Sequence, residues 1–328
     1  MTALQWVGQR VVRVDGVEKA TGKVTYATEV KLPGMLHGKV LRSPYPHARI
    51  LRIDTSQAES MPGVAAVVTI KDLPQHSTGY FLQDHHILAR DKVRYVGDEV
   101  AAVAAVDEET AERAVEAIQV EYEELPAVFD VEEAMRPGAS LVHEDLAKYQ
   151  LGGPLRAHPA MRTMRPGTNV AAVYKLRKGD VDKGFAQADL IVENTFKSHS
   201  VHSGHLEPHA CVADFSPAGR LTVWTNNQRP HPTRVYLSHA FGLPPSQVRV
   251  IGTKIGGGFG GKSRPRYERL AAALSIKARR PVRTVMTRAE EFIAFRSPAN
   301  VARIKTGVKR DGTIVAQSIE LVWDTGAY

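Results

Sequence analysis

The chain has 328 residues, 43 basic against 35 acidic for a net charge of +8, and a single cysteine, Cys211. One cysteine excludes an internal disulfide and any four-cysteine zinc or iron–sulfur site, so electron carriers for redox chemistry would sit on other chains or on an organic cofactor. No apolar run reaches the roughly 18 residues of a membrane span, and scattered basic residues without an aromatic-plus-basic motif argue against nucleic acid.

In chain order, Met1 to Trp6 lacks the basic-then-apolar order of a secretory leader, which places the expected location in the cytoplasm. Met35–Ser43 and Ala48–Asp54 read as strands around the turn Ser43-Pro44-Tyr45-Pro46. Gly63–Ile70 is a continuous apolar run suited to a buried strand. Val93–Val106 holds a turn at Gly97-Asp98 and then another apolar strand. Asp107 to Thr110 offers an acidic start to a helix whose apolar face is Ala111, Ala114, Val115 and Ile118, and Gln119–Tyr122 returns as a strand.

The proline- and glycine-bearing stretch around Gly152 to Gly167 breaks regular structure and reads as a connection between domains. Beyond it the pattern predicts a short helix at Asp180–Ala188, a strand at Leu190–Lys197 and a hairpin of Cys211–Phe215 with Leu221–Thr225. A helix at Pro232–Phe241, a strand at Val248–Ile251, a helix at Tyr267–Ala278 and a strand at Val282–Met286 come next, then a hairpin around Asp311-Gly312. The chain stops directly after the apolar strand Ile314–Trp323, which predicts that another polypeptide continues the fold or that the chain is a fragment.

The most informative stretch is Gly256-Gly257-Gly258-Phe259-Gly260-Gly261-Lys262, between the strand and the Tyr267 helix. Each glycine in ordered structure costs about 0.5–1 kcal/mol relative to alanine, so five in seven imply a backbone that must approach a ligand closely. Main-chain N–H groups at such a strand-to-helix turn attract phosphate-like or oxo groups. Gly256, Gly261, Lys262 and Ser263 also match the phosphate-loop pattern of NTPases. Against that, Pro265 suits a first helical turn capped by Ser263 or Arg264, too late for the hydroxyl and amides of a phosphate loop.

Together with Val11 to Gly22, the glycine run resembles the molybdopterin-binding subunit of the xanthine dehydrogenase/aldehyde oxidase family of molybdenum hydroxylases. Leu41-Arg42-Ser43-Pro44 with His47-Ala48, Val93 to Ala101, Glu207-Pro208-His209-Ala210, and Trp224 to Gln228 match in family order as well. The resemblance implies an α+β (mixed α/β) chain: a hammerhead-like domain at 1–145, a linker at 146–167, and the first part of a molybdopterin-binding domain at 168–328. It further implies a molybdenum ion held through the pterin dithiolene, with no protein ligand to the metal; the cytosine dinucleotide is one form this cofactor takes. Gln228 has the spacing of the glutamine that bonds an oxo ligand, about 28 residues before the glycine run. Gly257, Gly258, Phe259, Gly260 and Gly261 would contact the cofactor, with the Phe259 ring walling the substrate pocket.

Family chemistry is hydroxylation of a heterocyclic, aromatic or aldehyde carbon with water as oxygen source. Electrons would leave through a 2Fe–2S subunit and an FAD subunit, and a second molybdopterin-domain chain would supply the general base and complete the site. Ser263 stands where purine-oxidising members have a substrate-orienting glutamate, which argues against xanthine. A reductive dehydroxylase of the 4-hydroxybenzoyl-CoA reductase type, an NTPase, and a non-catalytic assembly module are the rival readings. His199, His202, His205 and His209 have zinc-like spacing, yet only Glu207 accompanies them in register, so they read as polar loop residues, with His205 or His209 near substrate.

Overall fold

The computed structural model describes residues 5, 7–79, 82–151, 164–294 and 296–328. Most of the expected linker at 146–167 therefore lies outside the described residues. The elements are α1 (Gly16–Ala20), β1 (Leu36–Arg42), β2 (Ala48–Asp54), α2 (Ser56–Ser60), β3 (Val64–Val68), β4 (Lys92–Val93), β5 (Glu99–Ala105), α3 (Glu108–Glu116), β6 (Gln119–Glu124) and α4 (Val131–Ala134). They continue as α5 (Val181–Ala186), β7 (Leu190–Ser198), β8 (Ala210–Phe215), β9 (Leu221–Thr225), α6 (Pro230–Phe241), β10 (Val248–Gly252), α7 (Tyr267–Ala278), β11 (Val282–Val285), α8 (Arg288–Ala294), β12 (Asn300–Val308) and β13 (Ile314–Trp323).

Seven strands form the central sheet, in the order β10-β9-β8-β11-β1-β5-β3. The mixed α/β class is as expected. Both strands read around Ser43–Pro46 form, but they do not pair with each other. β1 lies in the central sheet beside β5 and β11, whereas β2 joins β4 and β6 in a three-stranded sheet. Two prolines at the bend, with Ser43 Oγ accepting from the Tyr45 N–H at 3.0 Å, turn the chain without forming the ladder of a tight hairpin.

β5 shows why this sheet has two covered faces. All seven of its residues are buried, and after Glu99 it reads as an unbroken apolar run rather than an alternation. Ala102 and Ala104 belong to the core under α7, while Ala101 and Val103 pack on the other face with Ala114 of α3 and Ile118 just beyond it. The period-2 geometry of a strand makes that division. Asp107 caps α3 by accepting from the Thr110 N–H at 2.7 Å, and Asp180 caps α5 by accepting from the Lys183 N–H at 3.0 Å. α6 begins with Pro230, which needs no N–H partner there, and ends at Gly242 with φ 64°.

β9, α6 and β10 form a parallel strand–helix–strand unit, with Thr225 opposite Gly252. Parallel pairing brings the segments after the two strands, Asn226–Gln228 and Thr253–Lys262, to one edge of the sheet. β8 runs antiparallel to β9, with Cys211 opposite Thr225, so the residues before it, His202–His209, arrive at that same edge. β11 runs antiparallel to β8, with Val285 opposite Ala210, and delivers α8 there too. Four segments remote in sequence are thereby gathered along one border.

Candidate functional site

The carboxamide of Gln228 is locked to the glycine turn. Its Oε1 accepts from the N–H groups of Gly260 at 3.1 Å and Lys262 at 3.2 Å, and its own main-chain N–H donates to the Lys262 carbonyl at 2.8 Å. With the oxygen so held, Nε2 of this exposed side chain is left as a donor with no acceptor among the described residues. Gly258 makes the approach possible, since a Cβ there would lie 2.6 Å from Gln228 Cδ.

The turn itself takes conformations closed to most side chains. Gly257 has φ 98° and Gly260 has φ 89°, and between them Phe259, although not glycine, has φ 50°. Among the described residues nothing accepts from the N–H groups of Gly257, Gly258 or Phe259. Backbone held in sparsely populated regions is concentrated at functional sites. The Phe259 ring stands 76% exposed on this chain.

Two side chains brace the turn from below. Glu207 Oε2 accepts from the Gly256 N–H at 2.7 Å and from Lys262 Nζ at 2.8 Å, so one carboxylate ties the beginning of the turn to its end. Lys262 is fully buried; burial pushes its ammonium below the ordinary lysine range, against the pull of Glu207. A phosphate-loop lysine must face its anion, and this one is committed to a carboxylate. α7 begins at Tyr267 with Arg266 as its cap, later than the expected Ser263 or Arg264. Both observations remove the NTPase reading.

Asn226 and Asn227 are buried struts. Asn226 Oδ1 accepts from the Ala210 N–H at 3.1 Å and its Nδ2 donates to the Pro208 carbonyl at 2.8 Å. Asn227 Nδ2 donates to the Arg264 carbonyl at 3.2 Å. His202, His205 and His209 converge on Glu291 of α8, which is completely buried. His209 bonds that carboxylate through its main-chain N–H and, at 2.9 Å, through Nδ1. Burial pushes Glu291 up, but the hydrogen bonds from His209 outweigh it and hold the carboxyl down at about 2. No sequence signal announced Glu291, which stands 82 residues beyond His209. His199 is exposed and takes no part.

The lip thus presents three main-chain N–H groups and a carboxamide donor, an arrangement suited to a group rich in acceptor atoms, such as an oxo-bearing cofactor. The donor set therefore fits molybdopterin. No helix among the described residues is long and apolar enough to cross a membrane.

Known proteins agree with this geometry. Residues 164–328 match the molybdopterin cofactor-binding domain, and residues 21–126 match the a/b hammerhead domain of aldehyde oxidase and xanthine dehydrogenase. The chain is 38% identical to a probable xanthine dehydrogenase component of Bacillus subtilis, covering 97% of this chain and 40% of that protein. It is 35% identical to the nicotinate dehydrogenase large molybdopterin subunit of Eubacterium barkeri, covering 99% of this chain and 72% of that one. The solved CO dehydrogenase from Oligotropha carboxidovorans superposes with a TM-score of 0.80 at 34% identity, over 96% of this chain and 39% of that one. The chain accordingly spans 40% of its Bacillus relative and most of the Eubacterium subunit. With both domain models matched in the expected order, the chain belongs to the xanthine dehydrogenase/aldehyde oxidase family of molybdenum hydroxylases.

Proposed function

We propose that this chain supplies one lip of the molybdopterin site in a molybdenum-dependent oxidoreductase, the rest of the site coming from a second molybdopterin-domain chain. Gln228 and the main chain of Gly257, Gly258, Phe259, Gly260 and Gly261 hold the group, and the Phe259 ring walls the substrate pocket. The single observation carrying this reading is the anchored Gln228 carboxamide, whose oxygen is consumed by the turn so that its N–H₂ alone faces outward.

Molybdopterin, when bound, supplies hydroxylation of an electron-poor carbon with oxygen from water. The contribution of this chain is preorganisation. Gln228 and the turn are fixed to one another before any ligand arrives, so their dipoles need not reorganise during turnover. Glu207 and Lys262 keep the two ends of the turn in place. Phe259 projects an apolar face beside the donors, where an aromatic or heterocyclic substrate would lie against it. Ser263, in place of a glutamate, offers no carboxylate to orient a purine.

Extensive exposed apolar surface supports a second chain or segment. All nine residues of β7 are exposed, and Phe196, Ile319, Leu321 and Trp323 of the three-stranded sheet β13-β12-β7 are each at least half exposed. In this reading 2Fe–2S and FAD subunits receive the electrons, the complex works in the cytoplasm, and this chain alone is inactive. Metal analysis of the complex isolated from its native host tests the proposal. Stoichiometric molybdenum accompanied by iron is the expected result; a metal-free monomer overturns it.

A further inference from the structure

We propose that His202, His205 and Glu291 form a zinc site beneath the glycine turn. The three side chains come from two segments, the approach to β8 and the helix α8, and their ligand atoms all lie within 4.8 Å of one another. His202 Nε2 stands 3.5 Å and His205 Nε2 3.6 Å from Glu291 Oε2. Those separations are too long for hydrogen bonds. They match a metal centre: ligand atoms about 2.1 Å from a tetrahedral zinc stand roughly 3.4 Å apart.

The hydrogen bonds of His205 point the same way. His205 Nδ1 lies 2.8 Å from the Glu207 carbonyl, which only accepts, so Nδ1 carries the proton and Nε2 a lone pair. The lone pair faces an ionised carboxylate oxygen in a site where His205 is 1% and Glu291 0% exposed. Two acceptors opposed in a buried space need a proton or a metal ion between them, and at 3.6 Å the separation suits the metal better than a shared proton. Both His205 Nε2 and His202 Nε2 are buried without a hydrogen-bond partner.

A carbonyl on the far ring nitrogen is the usual outer support of a metal-bound histidine, and His205 already has one. His209 Nδ1 lies 2.9 Å from Oε1 of Glu291 and supports that ligand likewise. His202 Nδ1 accepts from the Gly204 N–H at 3.0 Å. This bond leaves the proton on Nε2, so His202 ligates only after its proton moves to Nδ1 and the Gly204 N–H, exposed, is released. Two imidazoles and one carboxylate make the three-ligand set of an open zinc site. Because a Cβ on Gly257 would lie 3.2 Å from His205 Cβ, the site sits directly against the turn.

The test strips the full chain with a chelator, equilibrates it with zinc or with cobalt(II), desalts it, and measures bound metal and the visible spectrum of the cobalt form. Stoichiometric zinc and the intense absorption of tetrahedral cobalt are expected. His202→Gln and His205→Gln should each lose at least about tenfold in zinc affinity, while His199→Gln keeps the wild-type value. If the buried His205→Gln chain fails to fold, zinc-edge X-ray absorption of the wild type decides, with two imidazole ligands expected. A folded wild-type chain without zinc, absorption data lacking imidazole, or a folded double variant that still binds zinc overturns the proposal. Molybdenum is not read, so failure of the molybdopterin assignment leaves this result standing.

Discussion

Gln228 and Gly258 are packed so closely that a single methyl group on Gly258 would lie 2.6 Å from Gln228 Cδ and 2.8 Å from its Oε1. Gly258→Ala must therefore push the carboxamide off the Gly260 and Lys262 amides. The expected outcome is a chain that folds, by circular dichroism, but whose assembled enzyme binds the cofactor roughly tenfold more weakly, about 1.4 kcal/mol, and so is isolated with a reduced molybdenum content. Elemental analysis of the purified complex checks it. Wild-type molybdenum content in the variant would show that the carboxamide does not hold the group.

Lys262 and Glu207 form a buried pair whose partners cannot be removed singly without leaving a stranded charge. Lys262→Met should cost about 3–5 kcal/mol of unfolding free energy. Adding Glu207→Gln, which still accepts from the Gly256 N–H, should recover a substantial part. Urea denaturation of the two variants and the wild type measures both effects. Equal stability of Lys262→Met and wild type would mean the lysine is hydrated and unpaired.

Asp98 gives a pH signature. Its carboxyl is pushed up to about 7, chiefly by burial and then by the neighbouring Glu99 charge. Between its unfolded value near 4 and about 7 the folded chain binds a proton that the unfolded chain does not, so this group's contribution falls as pH rises through that window. Asp98→Asn lacks the effect and still accepts from the Arg94 N–H. The stability of wild type minus that of Asp98→Asn should drop by up to about 4 kcal/mol between pH 4 and pH 8. A pH-independent difference contradicts the assignment.

Gly38 marks the junction where β1 runs parallel to β11. A Cβ there would meet Thr284 Cγ2 at 2.6 Å, Leu274 Cδ1 at 3.0 Å and Val282 Cγ1 at 3.1 Å. Gly38→Ala should destabilise by about 1–3 kcal/mol. Because the sheet joins strands from both matched regions, unfolding should remain a single transition when followed by both tryptophan fluorescence and circular dichroism. Two separated transitions would show that the halves fold independently.

These relationships mark the limit of what the sequence discloses. Apolar runs such as Val64–Val68 and caps such as Asp107 and Asp180 announce their elements because the forces concerned act within a few residues. The spacing of Gln228 from the glycine run, read through the family resemblance, located the two partners that the structure brings together. Lys262 fell within a phosphate-loop pattern, and its actual partner, Glu207, lies 55 residues earlier, out of reach of any local motif. His202–His209 looked like loop polarity because Glu291 enters only through the β8–β11 pairing. The Phe259 ring, expected to wall a pocket, is exposed on this chain. Pairings between distant strands decide such matters, and no local pattern encodes them.

The central claim is that Gln228 and the glycine turn grip molybdopterin. Anomalous diffraction at the molybdenum absorption edge, from crystals of the assembled holoenzyme, measures it directly. The account predicts a molybdenum peak at the lip, with a ligand atom of the metal within about 3.2 Å of Gln228 Nε2. A molybdenum peak elsewhere in the complex, with Gln228 and Gly257–Gly261 facing only solvent or protein, would contradict it.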